Sequence, residues 1–193
     1  MALERFDRDD LLRAVETMQN GGIILYPTDT VWGIGCDATN ESAVQRIYQL
    51  KKRADSKSML VLLDSAAKLD YYVEVPETAE MLLVIDSEKP MTLIYPNAKH
   101  LASNLIAEDG SIGIRITNET FSRQLCEKLK RPIVSTSANI SGEPTARFFH
   151  EISPEIMDGV DYVCHFRCED DTPHEPSTII KLNADGTFKI LRP

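Results

Sequence analysis

No stretch of this 193-residue chain approaches the roughly 20 consecutive apolar residues that a membrane-spanning helix requires. The opening residues, MALERFDRDDLLRAVETM, carry charge where a secretion signal needs an apolar core, so the expected location is cytoplasmic. Positive charge is short as well: 21 Lys and Arg stand against 30 Asp and Glu, a net charge of −9. A general binder of phosphate backbones needs a basic face, so this balance argues against one; a small anion held by a few local cations stays open. GxxxxGK[ST] and GxGxxG are both missing, which excludes the common phosphate-binding loops. GxSxG is missing too, and His100, His150, His165 and His174 stand in no legible relation to a nucleophile. Without repeats, low-complexity tracts or an interdomain linker, residues 1–193 read as one domain.

Cysteine is sparse, and the four thiols of a chain without a secretion signal are read as reduced. Cys36 and Cys126 lie in apolar or mixed surroundings, as core residues do. Cys164, His165, Cys168 and His174 cluster in sequence, but their spacing matches no usual zinc signature, and no metal site is expected.

What is present is an ordinary globular composition, 42% hydrophobic and 26% charged, on a chain long enough to bury a substantial core. Asp7 can cap a helix on which Leu11, Leu12, Val15 and Met18 share a face, with Gly21 or Gly22 ending it. The runs GIILY (22–26) and MLVLL (59–63) suit the interior of a sheet. Between them, Asn40 or Ser42 starts a helix bearing Ala43, Val44, Ile47 and Leu50. Pro76 opens another, with Ala79, Met81, Leu82 and Ile85. Residues 91–95 and 111–116 read as strands, Asn118 caps a helix through Lys130, and Pro132 leads into a further strand. A short helix at 154–157, a strand at 162–165 and two last strands, 177–182 and 187–191, follow; NADG joins the final pair as a hairpin. Early alternation with an antiparallel end predicts an α/β domain around a mixed sheet.

Two loops that follow strands carry the candidate chemistry. Residues 132–145, PIVSTSANISGEPT, present five hydroxyls (Ser135, Thr136, Ser137, Ser141, Thr145) and the Asn139 amide beside Gly142 and Pro144. Such a loop can wrap a polar ligand at a sheet's edge, or it can be a connector whose side chains cap their own turns. PTDTVWGIGCDATN, punctuated by Gly33 and Gly35, is a second candidate, in which Trp32 reads as packing. Lys51, Arg53 and Lys57 put three cations just past a helix end, where they offset the dipole or form a positive island on an acidic protein. Arg115 stands in an otherwise apolar strand, so it snorkels outward or meets an anion.

Taken together, these segments resemble the threonylcarbamoyl-AMP synthase family of the YrdC type. The matching pieces, in order, are YPTDTVWGIGCDA, Lys51–Lys52–Arg53 as a KxR element with Lys57 after it, SIGIRI, STSANISGEPT with Ser137–Ala138–Asn139 as an SxN element, PSTII and a terminal LRP. They run from about Gly22 to the last residue. Departures are Ser58 and Thr117 where the family commonly has proline, and CEDDTPHEP at a usually glycine-rich turn.

The resemblance implies a single YrdC-like α/β domain, a twisted mixed parallel and antiparallel sheet flanked by helices around a concave ligand cavity. It implies a nucleotidyltransferase that joins L-threonine, bicarbonate and ATP into L-threonylcarbamoyladenylate and releases pyrophosphate. By position, Lys51, Arg53, Ser137 and Asn139 are the expected catalytic residues. Thr30 and Arg115 would hold threonine. Lys51, Arg53, Lys57, Ser135, Ser137, Asn139, Ser177 and Arg192 would hold ATP. Mg2+ is expected on the polyphosphate without a dedicated protein cage. Downstream threonylcarbamoyl transferase proteins would take the product to position 37 of tRNA, and the acidic balance weakens direct tRNA binding. The alternatives are a YrdC-like RNA- or nucleotide-binding protein, and a paralogue acting on another carbamoylated compound.

Overall fold

The computed structural model describes residues 6–53, 59–84, 89–174, 176–183 and 185–193. In chain order its elements are α1 (Arg8–Gln19), β1 (Ile24–Tyr26), β2 (Gly33–Gly35), α2 (Glu41–Leu50), β3 (Leu60–Leu63), α3 (Leu69–Tyr72), α4 (Glu77–Val84), β4 (Met91–Tyr95), β5 (Ile112–Ile116), α5 (Thr120–Leu129), β6 (Ile133–Ser137), α6 (Pro154–Gly159), β7 (Tyr162–Val163), β8 (Thr178–Leu182) and β9 (Phe188–Arg192). Asp7 and Asn40 cap α1 and α2 through the amides of Asp9 and Ala43. At α5 the cap is Glu119 instead of the expected Asn118. Its two carboxylate oxygens accept from Phe121 N (2.9 Å) and Ser122 N (2.7 Å), satisfying two amides that a helix start otherwise leaves open. Ile85, expected on α4, lies outside the described residues.

The strands form one sheet in the order β7-β1-β2-β6-β3-β5-β4-β8-β9. Parallel pairs (β1/β7, β3/β5, β4/β8) sit among antiparallel ones, so the sheet is mixed as expected. β2 is the strand that a glycine-punctuated sequence conceals. A Cβ on Gly35 would lie 2.6 Å from both the Tyr26 ring and the Val134 carbonyl oxygen, so glycine here admits a close neighbour and opens no loop.

Successive residues of a strand face opposite sides, and that alternation sorts the sequence into two layers. On one side Leu25, Ile34, Val61, Leu63, Leu93, Ile114, Val134 and Ile180 pack with Val44, Ile47 and Tyr48 of α2 into the larger core. On the other, Ile24, Tyr26, Leu62 and Ile133 pack beneath α1 and α5, against Leu11, Val15, Met18, Phe121, Leu125 and Leu129. These two helices reach β7, β1 and β3. Beyond them the same face of β5, β4, β8 and β9 opens into a cavity of about 690 Å³.

Candidate active site

The floor of the cavity follows from strand register. Gly113, Ile94 and Lys181 are successive partners across β5, β4 and β8, and Thr92, Ile179 and Arg192 across β4, β8 and β9. All six line the cavity, together with Arg53, Arg115, Ser135, Ser137 and Ser177. The sheet thus gathers onto one surface residues that lie far apart in sequence.

Arg115, in the middle of this floor, is 3% exposed, and a buried guanidinium needs partners. Its Nη2 lies 2.9 Å from Asp29 Oδ1 and donates to Thr30 Oγ1 at 3.4 Å, while its buried Nε has no hydrogen-bond partner among the described residues. Thr30 is held in turn by Thr28, whose Oγ1 lies 3.0 Å from Thr30 Oγ1 and accepts from Thr30 N. Burial raises the Asp29 carboxyl above its ordinary range, against the pull of the Arg115 charge. Asp29 was legible in PTDTVWG but escaped the sequence reading, because its pairing with Arg115 spans 86 positions that only β5 brings back. The arrangement offers an unsatisfied guanidinium edge beside a hydroxyl, a fit for a carboxylate with a neighbouring polar group.

The far wall is a second cluster. Ser177 Oγ lies 2.8 Å from Thr92 Oγ1, and Arg192 donates to Ser177 through Nε to the carbonyl (2.8 Å) and Nη2 to the hydroxyl (3.3 Å). Burial, and then the charge of Arg115, pull Arg192 below its ordinary value. Burial does the same to Arg53. A cation that bears on a second one across a cavity favours an anion between them. At the rim Lys181 meets Asp109 at 2.6 Å, and hydrogen bonds from Lys181 and Ser111 draw the Asp109 carboxyl down to about 2.

The KKR element sends its three side chains in three directions. Lys52, at φ 50°, turns the chain past α2 and pairs with Glu155 on the surface (2.9 Å). Arg53 enters the cavity. Lys51, 1% exposed, goes behind the 137–141 loop and donates to the carbonyls of Ser137 and of Asn139 (2.6 Å). The half-buried Asn139 stays within its own loop: its amide nitrogen donates to the Ile140 (3.0 Å) and Glu143 (2.8 Å) carbonyls. Of the two expected elements, then, Arg53 and Ser137 line the cavity while Lys51 and Asn139 brace the loop. Lys57 lies outside the described residues.

The His/Cys segment folds differently from a metal cluster. Burial pushes the Cys164 thiol up, Cys168 Sγ donates to the Cys164 carbonyl (3.3 Å), and His165 N donates to Asp10 (3.0 Å). His174 meets Arg167, which also donates to Asp170 (2.8 Å) and to the Thr28 carbonyl (3.2 Å). The acidic connector thereby packs behind the 27–32 loop. Among the described residues no group of three or more His, Cys, Asp or Glu could hold a metal ion, and no helix is long and apolar enough to cross a membrane.

Comparison with known proteins decides the lineage. The profile of the family described as "Telomere recombination" (Sua5, YciO and YrdC) matches residues 16–193. The chain belongs to the Sua5/YciO/YrdC family. A threonylcarbamoyl-AMP synthase of Pseudoalteromonas translucida is 30% identical over 176 residues, 90% of this chain and 93% of that protein. One of Xanthomonas euvesicatoria is 36% identical over 160 residues, 81% of this chain and 86% of that protein. Among solved structures, P. abyssi Sua5 complexed with L-threonine superposes with a TM-score of 0.86 at 27% identity, over 98% of this chain and 55% of Sua5. E. coli YciO gives 0.85 at 26% identity, over 98% and 91%. The Sua5/YciO/YrdC fold accounts for the mixed sheet and its helical layers.

Proposed function

We propose that this member of the family is an L-threonylcarbamoyladenylate synthase, a nucleotidyltransferase that condenses L-threonine, bicarbonate and ATP. The observation that carries the reading is the buried Arg115, whose Nε has no hydrogen-bond partner among the described residues, beside Thr30 and Asp29, in a cavity that Arg53 and Arg192 share. The names of the synthase relatives and of the threonine-bound Sua5 support it. In this reading Arg115 and Thr30 take the threonine carboxylate and hydroxyl. Arg53, Ser135, Ser137, Ser177 and Arg192 orient the nucleotide and its phosphates. The threonine amine adds to the carbon of bicarbonate with loss of water and gives an N-carboxy amino acid. A carboxylate oxygen of that group then bonds to the α-phosphorus of ATP as the bond to the β-phosphate breaks, and pyrophosphate leaves.

Such chemistry asks for positioning and charge neutralisation more than for a covalent nucleophile. Magnesium, when bound, would neutralise polyphosphate charge. The cavity carboxylates are Glu108 and an Asp109 already tied to Lys181, which suits a hard cation that keeps waters and phosphate oxygens as its main ligands. The product is a mixed anhydride, to be passed in the cytoplasm to a threonylcarbamoyl transferase acting on tRNA. A net charge of −9 favours transfer through a protein partner over direct tRNA capture.

The test is incubation with ATP, magnesium, bicarbonate and each amino acid in turn, with the adenylate and pyrophosphate detected by mass. The expected outcome is a threonylcarbamoyl adenylate with threonine alone. Nucleotide binding with no adenylate from any amino acid would leave a binding module instead.

A further inference from the structure

Lys51 is a cation in the wrong place for a phosphate ligand. Its ammonium is buried, stands off the cavity surface, and donates to the carbonyls of Ser137 and Asn139. Its own carbonyl accepts from Ser141 N at 2.8 Å, so one residue grips the loop through both main chain and side chain. An ammonium carries three donors and no acceptor, which matches a cage of carbonyl oxygens.

The orientation matters for the cavity. Carbonyl oxygens repel phosphate oxygens, and those of Ser137 and Asn139 are turned inward, onto the buried charge. The Ser137 side chain lines the cavity beside Ser135 of β6, while the Ser137 and Asn139 carbonyls point away to Lys51. The positive charge behind it adds to the field that Arg53 and Arg115 set up, at a range that burial lengthens. We propose that Lys51 is a positioning residue: its buried ammonium holds the Ser137 and Asn139 carbonyls away from the cavity and fixes the 137–141 loop without touching the nucleotide. This rests on the reading that the loop faces ATP.

Two measurements test it, and neither depends on turnover. In the wild type, reductive methylation mapped by mass spectrometry should leave Lys51 unmodified with or without ATP, while the exposed Lys52 reacts. A Lys51 that reacts in the free protein and is protected by ATP would overturn the proposal. In Lys51→Met, amide exchange across residues 137–141 should quicken by about tenfold or more, as expected for lost loop hydrogen bonds, with α1 and α5 unchanged. The Kd for ATP by calorimetry should weaken at least about tenfold while that for threonine holds, and Lys51→Arg should not restore it, because a larger fork does not fit a filled cage. Weaker ATP binding with unchanged loop exchange would mean direct contact with the nucleotide and would also overturn it. If the Met variant does not fold, the methylation result decides. Failure of the synthase reading would appear only in the adenylate assay, and would leave both readouts standing.

Discussion

Beneath α5 and just beyond it, one face of the sheet changes character between neighbouring strands. Ile133, Leu62 and Arg115 are successive partners across β6, β3 and β5. The first two are fully buried under Phe121, Leu125 and Leu129, and the third, equally hidden from solvent, holds its charge on Asp29 and Thr30. Backbone geometry is the same on both sides of that boundary. What differs is cover: where a helix supplies apolar side chains the strands answer with Leu and Ile, and where none does Arg, Lys, Thr, Ser and Gly stand among the isoleucines. The covered part of this face is packed as core and the open part lines the cavity, so the two should respond separately to mutation.

The largest expected effect lies under the helix. Phe121 is fully buried, stacked on Phe166 (5.3 Å) and met edge-on by Phe6 (5.4 Å). Phe121→Ala should lower the unfolding free energy by about 3–5 kcal/mol in a denaturant titration. The threonine affinity of the folded fraction should stay as it was. A parallel loss of affinity would mean that the halves are one mechanical unit.

Across the boundary, Arg115→Lys should do the reverse. An ammonium can still pair with Asp29, so the melting temperature should move little. It cannot reproduce the planar fork that leaves Nε free, and threonine affinity by calorimetry should fall by at least about tenfold. Threonine binding that survives the change would make Arg115 a structural ion pair.

The smallest effect is a pH dependence at the join, where Lys51 ties the end of α2 to the end of β6. Burial, and then the Arg53 charge, bring its ammonium down to about 8. Between pH 8 and 10 the unfolded chain keeps a proton there that the folded protein has released, so Lys51 makes stability rise with pH in that window. The thiols of Cys36, Cys126 and Cys164, pushed up by burial, act in the opposite sense, because unfolding lets them ionise. The difference between wild type and Lys51→Met isolates the lysine. The wild type should gain on the variant over this range, by no more than about 3 kcal/mol. A difference that stays flat would mean that the Ser137 and Asn139 carbonyls offset the cost of burying the ammonium.

Much of the covered half was readable in advance. The caps at Asp7 and Asn40, the helical stripes of α1, α2 and α5 and the apolar strands follow from local pattern, because periodicity reports which side of an element is buried. The open half was readable in its residue types: Arg115 in an apolar strand and hydroxyls after β6 announce a polar surface. Two features were not. β2 hides behind its glycines, since nothing in GIG says that the Tyr26 ring and the Val134 carbonyl will press on Gly35. Asp29 draws no notice until β5 carries Arg115 to it.

The sequence by itself determined most of the elements, the mixed sheet and the family, because these rest on spacing and residue type along the chain. Tertiary structure alone decided what each cation does. Lys51, Lys52 and Arg53 are nearly equivalent as a string, yet the end of α2 and the left-handed turn at Lys52 send one into a cage of carbonyls, one to Glu155 and one into the cavity. Direction across a helix end is set by packing, and packing is not written in three adjacent letters.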